Sequence, residues 1–186
     1  MTSSPAPQLD TRGYDAAGAR AIQSDLFALY AEIYAASLSD PFYSLERFAE
    51  RFAGHSARPG YRLVTGRFDD ELVGYAYGVP LSASTQWWTG LQGDIPPQAI
   101  AEDGHRTFAV NEIMVDQHWR RRGIAKVLHD TLLAGRPEAR ATLLVDPDNV
   151  PARTAYLSWG WEMLGRLQPF PDAPVYDALV LDLATQ

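Results

Sequence analysis

Hydrophobic side chains in the first third of the chain recur with helical spacing. Between Ala16 and Leu38, apolar residues lie three or four positions apart, which places them on one face of a helix. Ser44 is a typical N-cap for a second helix that ends near Gly54. The pattern predicts two helices, preceded by a short strand over Leu9–Tyr14.

Two β-rich runs follow, Tyr61–Phe68 and Leu72–Leu81, separated by an Asp69-Asp70 turn. A short turn between two such runs predicts antiparallel neighbours. Large side chains occupy one face of the second run, so the other face allows a close approach of another backbone. That other face carries only small residues: Gly74, Ala76 and Gly78.

The second half of the chain alternates strands with helices after a long irregular stretch over 82–106. We expect strands at Thr107–Asp116, Ala141–Val145, Trp161–Leu167 and Val175–Leu183, and helices at Arg122–Gly135 and Pro151–Trp159. The whole pattern predicts a mixed α/β fold, a seven-stranded mixed sheet flanked by about four helices. We expect a single domain over 9–186, with residues 1–8 disordered.

Composition narrows the possible functions. The chain of 186 residues is 46% hydrophobic, which suits one domain, and it contains no cysteine. Disulfides, thiolate zinc sites and a cysteine nucleophile are therefore excluded. The formal net charge of -7 argues against nucleic acid as a partner. No apolar run approaches the roughly 20 residues that cross a membrane, and the first residues lack a secretory pattern, so we expect a cytoplasmic protein.

The segment Ile113–Ala125 runs from a strand through a tight loop into a helix. A helix start offers unpaired backbone N–H groups, and the small Gly123 and Ala125 let a phosphate approach them. Three cations, Arg120–Arg122, oppose the helix dipole by roughly 0.3–1 kcal/mol each, which a bound anion would offset. The segment predicts an anion site, with a solvated basic loop as the alternative. The patterns of a P-loop and of a Rossmann site are absent.

Two motifs together resemble the GNAT superfamily of acyl-CoA N-acyltransferases. The run Arg120–Ala125 is similar to its Arg/Gln-x-x-Gly-x-Gly/Ala motif, with alanine where many members have glycine. The second motif is a helix with Asn, Ala and Tyr, closed by Gly and an aromatic residue. It is matched by Asn149, Ala152, Tyr156, Gly160 and Trp161. The resemblance covers about the second half of the chain.

The resemblance implies acetyl-CoA as the cofactor. In such proteins the loop amides hold the pyrophosphate, and the strand before the loop pairs with the pantetheine arm. The residues implied here are Ile113, Met114, Val115, Arg120, Arg121, Arg122, Gly123, Ile124, Ala125, Lys126, Asn149 and Arg153.

The resemblance also implies an enzyme, in which an amine attacks the thioester directly in a ternary complex. Tyr156 would donate to the leaving thiol, since a phenol has a pKa near 10 and a thiol near 8.5. Glu112 is our first choice for the base that receives the amine's proton, and His105 is the alternative. A core position for Tyr156, and a surface or structural role for Glu112, remain open.

The remaining histidines, His55, His118 and His129, are expected on loops or helix surfaces. Their spacing does not match a metal site, so no metal is predicted. A serine-esterase elbow is also absent.

In this family the first helices and the loop before the central strand shape the acceptor site. Aromatic residues there could hold a cationic amine. We expect such contacts from Tyr30, Tyr34, Tyr77, Trp87 and Trp88. The predicted acceptor is the primary amine of a small molecule, and the protein a monomer or homodimer. A protein lysine or N-terminus as acceptor, and a non-catalytic acyl-CoA-binding regulator, remain alternatives.

Overall fold

A computed structural model describes residues 8–184 of the protein. The predicted disordered segment therefore lies outside the described residues except for Gln8, which is exposed. Within the described residues, no helix is both long and apolar enough to cross a membrane.

Seven strands and six α-helices make up the described chain. The strands are β1 (Asp10–Tyr14), β2 (Arg62–Phe68), β3 (Glu71–Pro80), β4 (Thr107–Val115), β5 (Arg140–Val145), β6 (Glu162–Leu167) and β7 (Tyr176–Asp182). The helices are α1 (Ala16–Ala21), α2 (Gln23–Ile33), α3 (Leu45–Ser56), α4 (Pro97–Ile100), α5 (Ile124–Leu133) and α6 (Val150–Ser158). Two 3₁₀ turns occur at Pro41–Tyr43 and Gln117–Trp119.

The strands form one sheet in the order β1-β2-β3-β4-β5-β7-β6, which confirms the predicted seven-stranded mixed sheet. The pairing of β2 with β3 is antiparallel, as expected from the short turn between them. By contrast, β4 and β5 run parallel, and their register covers Thr107–Ala109 against Arg140–Thr142.

The predicted first helix divides in two. It breaks at Ile22, whose backbone leaves helical geometry at φ −109 and ψ 11, and α2 ends at Ile33 rather than near Leu38. The residues after α2 include Ser37, Ser39 and Asp40, whose side chains compete for backbone hydrogen bonds and favour turns over helix interiors. This break and the one-turn α4 raise the number of helices above the predicted four.

Two compact units divide the chain, and each is discontinuous in sequence. The first comprises the described residues up to Gly78 together with 112–134. In this unit, α2 and α3 each bury one face of the helix, and α5 packs on β2. A Cβ added to Gly74 would lie 2.7 Å from the carbonyl oxygen of Met114, so the predicted close backbone approach is confirmed.

The second unit comprises Val79–Asn111 and the described residues from Gly135 onward. Its core joins residues of β4, β6 and β7 to the long segment after β3: Leu81, Trp88, Ala109, Leu167 and Ala178. Glu102 is the polar anchor of that segment. Its Oε1 accepts hydrogen bonds from Trp88 Nε1 at 3.0 Å, Thr107 Oγ1 at 2.8 Å and Arg140 Nη2 at 2.9 Å. The long irregular stretch is therefore held by a buried network.

Candidate active site

The loop between β4 and α5 has two residues in the left-handed region, Arg121 at φ 59 and Gly123 at φ 79. These conformations delay α5, which begins at Ile124 instead of the predicted Arg122. Glycine adopts this geometry without strain, and successive N–H groups in such turns converge on anions. A Cβ added to Gly123 would meet no atom within 4 Å, so the space above this backbone is open.

No side chain caps the start of α5. The first N–H groups of a helix have no partner within the helix, so those of Ile124, Ala125 and Lys126 point from an uncapped N-terminus. The Lys126 ammonium pairs with Asp130, which leaves the backbone of Lys126 as its contribution to the loop. The uncapped helix start and the open space above Gly123 both fit a phosphate group.

The three arginines of the loop are all exposed. The Nε of Arg120 donates to the carbonyl oxygen of Val115 at 3.1 Å, and the Arg122 guanidinium lies 4.7 Å from the Trp119 ring centre. Trp119 in turn stacks on Phe68 at 4.3 Å. Two of the arginines are thus held in place beside the loop while their charge faces solvent.

Glu112 lies on β4 in the first unit, and its side chain is partly accessible. Burial raises the pKa of this carboxyl from 4.5 to about 7, and the charge of Arg51 opposes the shift. A carboxyl with a pKa near neutrality exchanges protons readily at physiological pH, as a general base must.

Aromatic rings from α2, the first 3₁₀ turn, α3, β3 and residues next to α2 and β2 form a continuous set, here called the aromatic cluster. It comprises Tyr30, Tyr34, Phe42, Tyr43, Phe48, Phe52, Tyr61, Tyr75 and Tyr77. Tyr30 stacks on Phe48 with ring centres 3.9 Å apart, and Tyr34 stacks on Tyr43 at 5.3 Å. Burial, followed by the nearby charge of Glu112, raises the pKa of Tyr75 and Tyr77. The carboxylate therefore faces this cluster.

Three of the expected substrate contacts are core residues. The exposed fractions of Tyr30, Tyr77 and Trp88 are 1%, 0% and 7%. Trp88 also has its indole N–H bound by Glu102. This burial does not support direct contact with a substrate, because their rings complete the packing of their units. Tyr34 and Trp87 keep partly accessible side chains.

The second unit carries the other motif on α6. Asn149 is the N-cap, and its side chain accepts from the N–H of Ala152 at 3.3 Å. Arg153 Nε lies 2.7 Å from the carboxylate of Asp177, which is fully buried. Tyr156 is partly buried and meets Trp159 and Trp161 edge to face. Asn149 and Arg153 thus stabilise α6, whatever else they bind.

The histidines differ from expectation. His129 is 1% exposed, so its predicted surface position is wrong, because α5 buries a wider face than the apolar spacing indicates. His55 is partly buried beside Tyr77, and burial, followed by the charges of Arg58 and Arg51, lowers its pKa to about 4. His105 lies exposed in the loop before β4.

Three potential metal ligands come together in the described chain although no spacing predicted them. Single ligand atoms of Glu32, Asp116 and His118 lie within 4.8 Å of one another. Asp116 already accepts a hydrogen bond from the backbone N–H of His118 at 2.7 Å, as the cap of the 3₁₀ turn. We assign no metal chemistry to this group.

Residues 24–161 match the acetyltransferase (GNAT) family. The chain belongs to this family. Its membership supports an acyltransferase that uses acyl-CoA, and it confirms the resemblance drawn from the two motifs. No curated protein sequence matches the chain.

Solved structures share the GNAT fold with this chain. PH1933 from Pyrococcus horikoshii OT3 is 15% identical with a TM-score of 0.66, covering 94% of this chain and 98% of its own. NAA60 from Arabidopsis thaliana, solved with a bisubstrate analogue, is 20% identical with a TM-score of 0.61. The match covers 94% of this chain and 98% of NAA60. The PaiA N-acetyltransferase from Thermoplasma acidophilum, solved with coenzyme A, is 10% identical with a TM-score of 0.59. The match covers 94% of this chain and 99% of PaiA. At these identities the likeness shows the fold alone.

Proposed function

We propose that this GNAT protein is an N-acetyltransferase that moves the acetyl group of acetyl-CoA to a primary amine of a small molecule. The observation that carries the proposal is Glu112, a carboxyl of raised pKa that faces the aromatic cluster in the unit that also holds the α5 loop. The proposed base and the proposed cofactor loop thus belong to one compact unit.

The loop residues Arg120–Lys126 are proposed to hold the pyrophosphate of CoA. The uncapped start of α5 and the open space above Gly123 support this role, because both leave backbone N–H groups for an anion. The charges of Arg120, Arg121 and Arg122 would add attraction. We assign the pantetheine arm to the backbone of Ile113–Val115 and to Asn149 and Arg153, following the family motifs.

Acetyl-CoA supplies an activated thioester. The amine nitrogen forms a bond to the acetyl carbon as the carbon–sulfur bond breaks, and Glu112 receives the proton that the amine loses. Tyr156 donates a hydrogen bond or proton to the departing sulfur. The backbone N–H near Val115 would polarise the thioester carbonyl.

Two measurements test this proposal. Titration calorimetry with acetyl-CoA should show binding, and a thiol-release assay over a panel of amines and peptides should show turnover on a small amine. Release on peptides alone would indicate a protein acceptor, and binding without release on any acceptor would indicate a regulator. Absence of acetyl-CoA binding would contradict the proposal as a whole.

A separate substitution tests the proposed role of Tyr156 as a donor to the departing sulfur. We expect Tyr156→Phe to lower kcat by about tenfold or more, because general acid catalysis contributes about 10²–10⁴-fold. Affinity for acetyl-CoA should stay unchanged. Turnover equal to the wild type would remove Tyr156 from the mechanism.

A further inference from the structure

Arg51 is a guanidinium within the aromatic cluster. It projects from α3 and is partly buried. Its Nη1 donates to the carbonyl oxygen of Phe42 at 3.2 Å, and its Cζ lies 5.6 Å and 5.9 Å from the ring centres of Phe42 and Phe48. Two aromatic faces therefore replace part of the water around this cation.

The guanidinium has hydrogen-bonding capacity left over. It carries five N–H donors, of which one on Nη1 donates to the Phe42 carbonyl, and its charge opposes the burial that raises the pKa of the Tyr30 hydroxyl. Within residues 8–184 it forms no ion pair with a carboxylate. A partly buried arginine usually pairs with a carboxylate, because the pair offsets the loss of hydration.

A second arginine increases the positive charge at this place. Arg47 lies one helical turn before Arg51 on α3, and its Cζ is 5.0 Å from the same Phe42 ring. Like charges four residues apart on a helix repel each other. Both arginines therefore contact the Phe42 ring and raise the positive potential beside it.

Glu112 faces the same cluster. The charge of Arg51 lowers the pKa of the Glu112 carboxyl against the effect of burial. The charges of Arg51 and Glu112 also shift the pKa of the Tyr30 hydroxyl, in opposite directions. The Tyr30 hydroxyl donates to the carbonyl oxygen of Tyr43 at 3.0 Å, which fixes the position of this ring. The region thus presents an anion and a cation that attract each other without closing into an ion pair.

We propose that the acceptor is an α-amino acid, whose carboxylate binds Arg51 while its amine delivers a proton to Glu112. This inference rests on the proposed function. A guanidinium and a carboxylate match in plane and form two parallel hydrogen bonds. In an α-amino acid the amine and the carboxylate share one carbon, so a base and a cation on one cluster can engage both groups. The partly accessible rings of Tyr34 and Tyr43 favour an apolar or aromatic side chain.

The competing explanation is that Arg51 only balances the charge of Glu112. In that case Arg51 would affect all amines alike, through the protonation of Glu112. If Arg51 binds the acceptor, its effect depends on whether the acceptor carries a carboxylate. Substrate series that differ in this one group therefore separate the two explanations.

The experiment measures kcat and KM with acetyl-CoA for three matched series. These are the standard L-α-amino acids, their amides, and the amines that remain when the carboxylate is removed. We expect the wild type to favour the best amino acid over its amide and its amine by tenfold or more in kcat/KM. In Arg51→Gln, KM for the amino acid should rise tenfold or more, while KM for the amine stays within twofold.

Two further variants serve as controls. Arg51→Lys keeps the charge and loses the planar pair of donors, so we expect an intermediate KM for the amino acid. Arg47→Gln should change KM by less than Arg51→Gln does. If Arg51→Gln does not fold, Arg51→Lys still decides, because equal effects on all three series would contradict carboxylate binding.

Each other outcome has a definite meaning. Equal use of amino acids, amides and amines by the wild type would overturn the inference. Turnover of other amines, or acetyl-CoA binding without turnover of any amino acid, would also overturn it and would leave the cofactor site standing. Absence of acetyl-CoA binding would instead contradict the proposed function.

Discussion

Two regions of the first unit offer a ligand different physical means of binding. The loop over 120–125 is exposed and offers backbone N–H groups, and its arginine charges face solvent. The aromatic cluster is largely buried and offers side chains, with Glu112 and Arg51 as its charged groups. A backbone site tolerates changes of side chain if the chain can keep its geometry. A side-chain site depends on each group that faces the ligand, and therefore carries the specificity.

The largest expected effect concerns Glu112. Glu112→Gln removes the base, so kcat/KM should fall by about 10²–10⁴-fold at neutral pH. In the wild type, log kcat/KM should rise with pH through about 7, because the deprotonated carboxyl is the active form. Acetyl-CoA affinity, measured by calorimetry, should not change. A variant that keeps the wild-type pH–rate profile would exclude Glu112 as the base.

Deprotonation of Glu112 should raise activity, as above, but it should lower the stability of the fold. The folded-state pKa lies above the ordinary value of 4.5, so the folded protein binds this proton more tightly than the unfolded chain does. The contribution of Glu112 to stability is therefore greatest below pH 4.5 and falls as the pH rises to about 7. Above that pH, Glu112→Gln should be more stable than the wild type by about 3 kcal/mol in urea titrations. If the stability difference between the wild type and Glu112→Gln were the same at pH 4 and at pH 8, the argument from the burial of Glu112 would be contradicted.

Gly123→Ala tests the backbone site. A left-handed conformation costs a residue with a Cβ about 1–2 kcal/mol. The new methyl group would also enter the space proposed for the pyrophosphate. We expect acetyl-CoA affinity to fall about tenfold, since 1.4 kcal/mol corresponds to a factor of ten.

Gly135 offers a matched control. It has φ 67, and a Cβ there also meets no atom within 4 Å. Gly135→Ala should therefore lose similar stability and keep full affinity for acetyl-CoA. Equal loss of affinity in both variants would show that the effect of Gly123→Ala is general rather than local.

Tyr77→Phe tests the buried side of the aromatic cluster. The Tyr77 hydroxyl is fully buried and has no hydrogen-bond partner in the described part of the chain. An unpaired buried hydroxyl costs about 1–3 kcal/mol, so its removal should raise the free energy of unfolding by about 1 kcal/mol. Tyr75→Phe is the control, because the Tyr75 hydroxyl contacts Met114 Sδ at 3.1 Å and its loss should not stabilise. A destabilised Tyr77→Phe would indicate an unseen partner, such as a bound water.

The smallest effect is expected at Trp119. Trp119→Leu removes the ring that holds Arg122, and an exposed cation–π contact contributes about 0.5–1 kcal/mol. Acetyl-CoA affinity should fall about two- to fivefold, and the loss should shrink at high salt. Phe68→Leu, which removes only the stacking partner of Trp119, should have a smaller effect. An unchanged affinity in Trp119→Leu would exclude a positioning role for this ring.

The loop over 120–125 was predictable because its features are local. Arg120–Ala125 are contiguous, and a strand, a turn and a helix start follow from the residues themselves. The start of α5 was two residues too early in the prediction, since the left-handed Arg121 and Gly123 could not be read from the apolar spacing. The second motif was readable for the same reason, although the ion pair of Arg153 with Asp177 joins residues far apart in sequence.

The sequence by itself therefore determined the fold class, the order of the seven strands along the chain and the family, and it predicted the loop over 120–125 as the cofactor site. Tertiary structure alone decided which aromatic residues are core, how burial raises the pKa of Glu112, and that Arg51 faces the same cluster. The physical reason is that periodicity and caps act over a few neighbouring residues. Desolvation and charge attraction depend on which distant segments meet, and that is settled only when the chain folds.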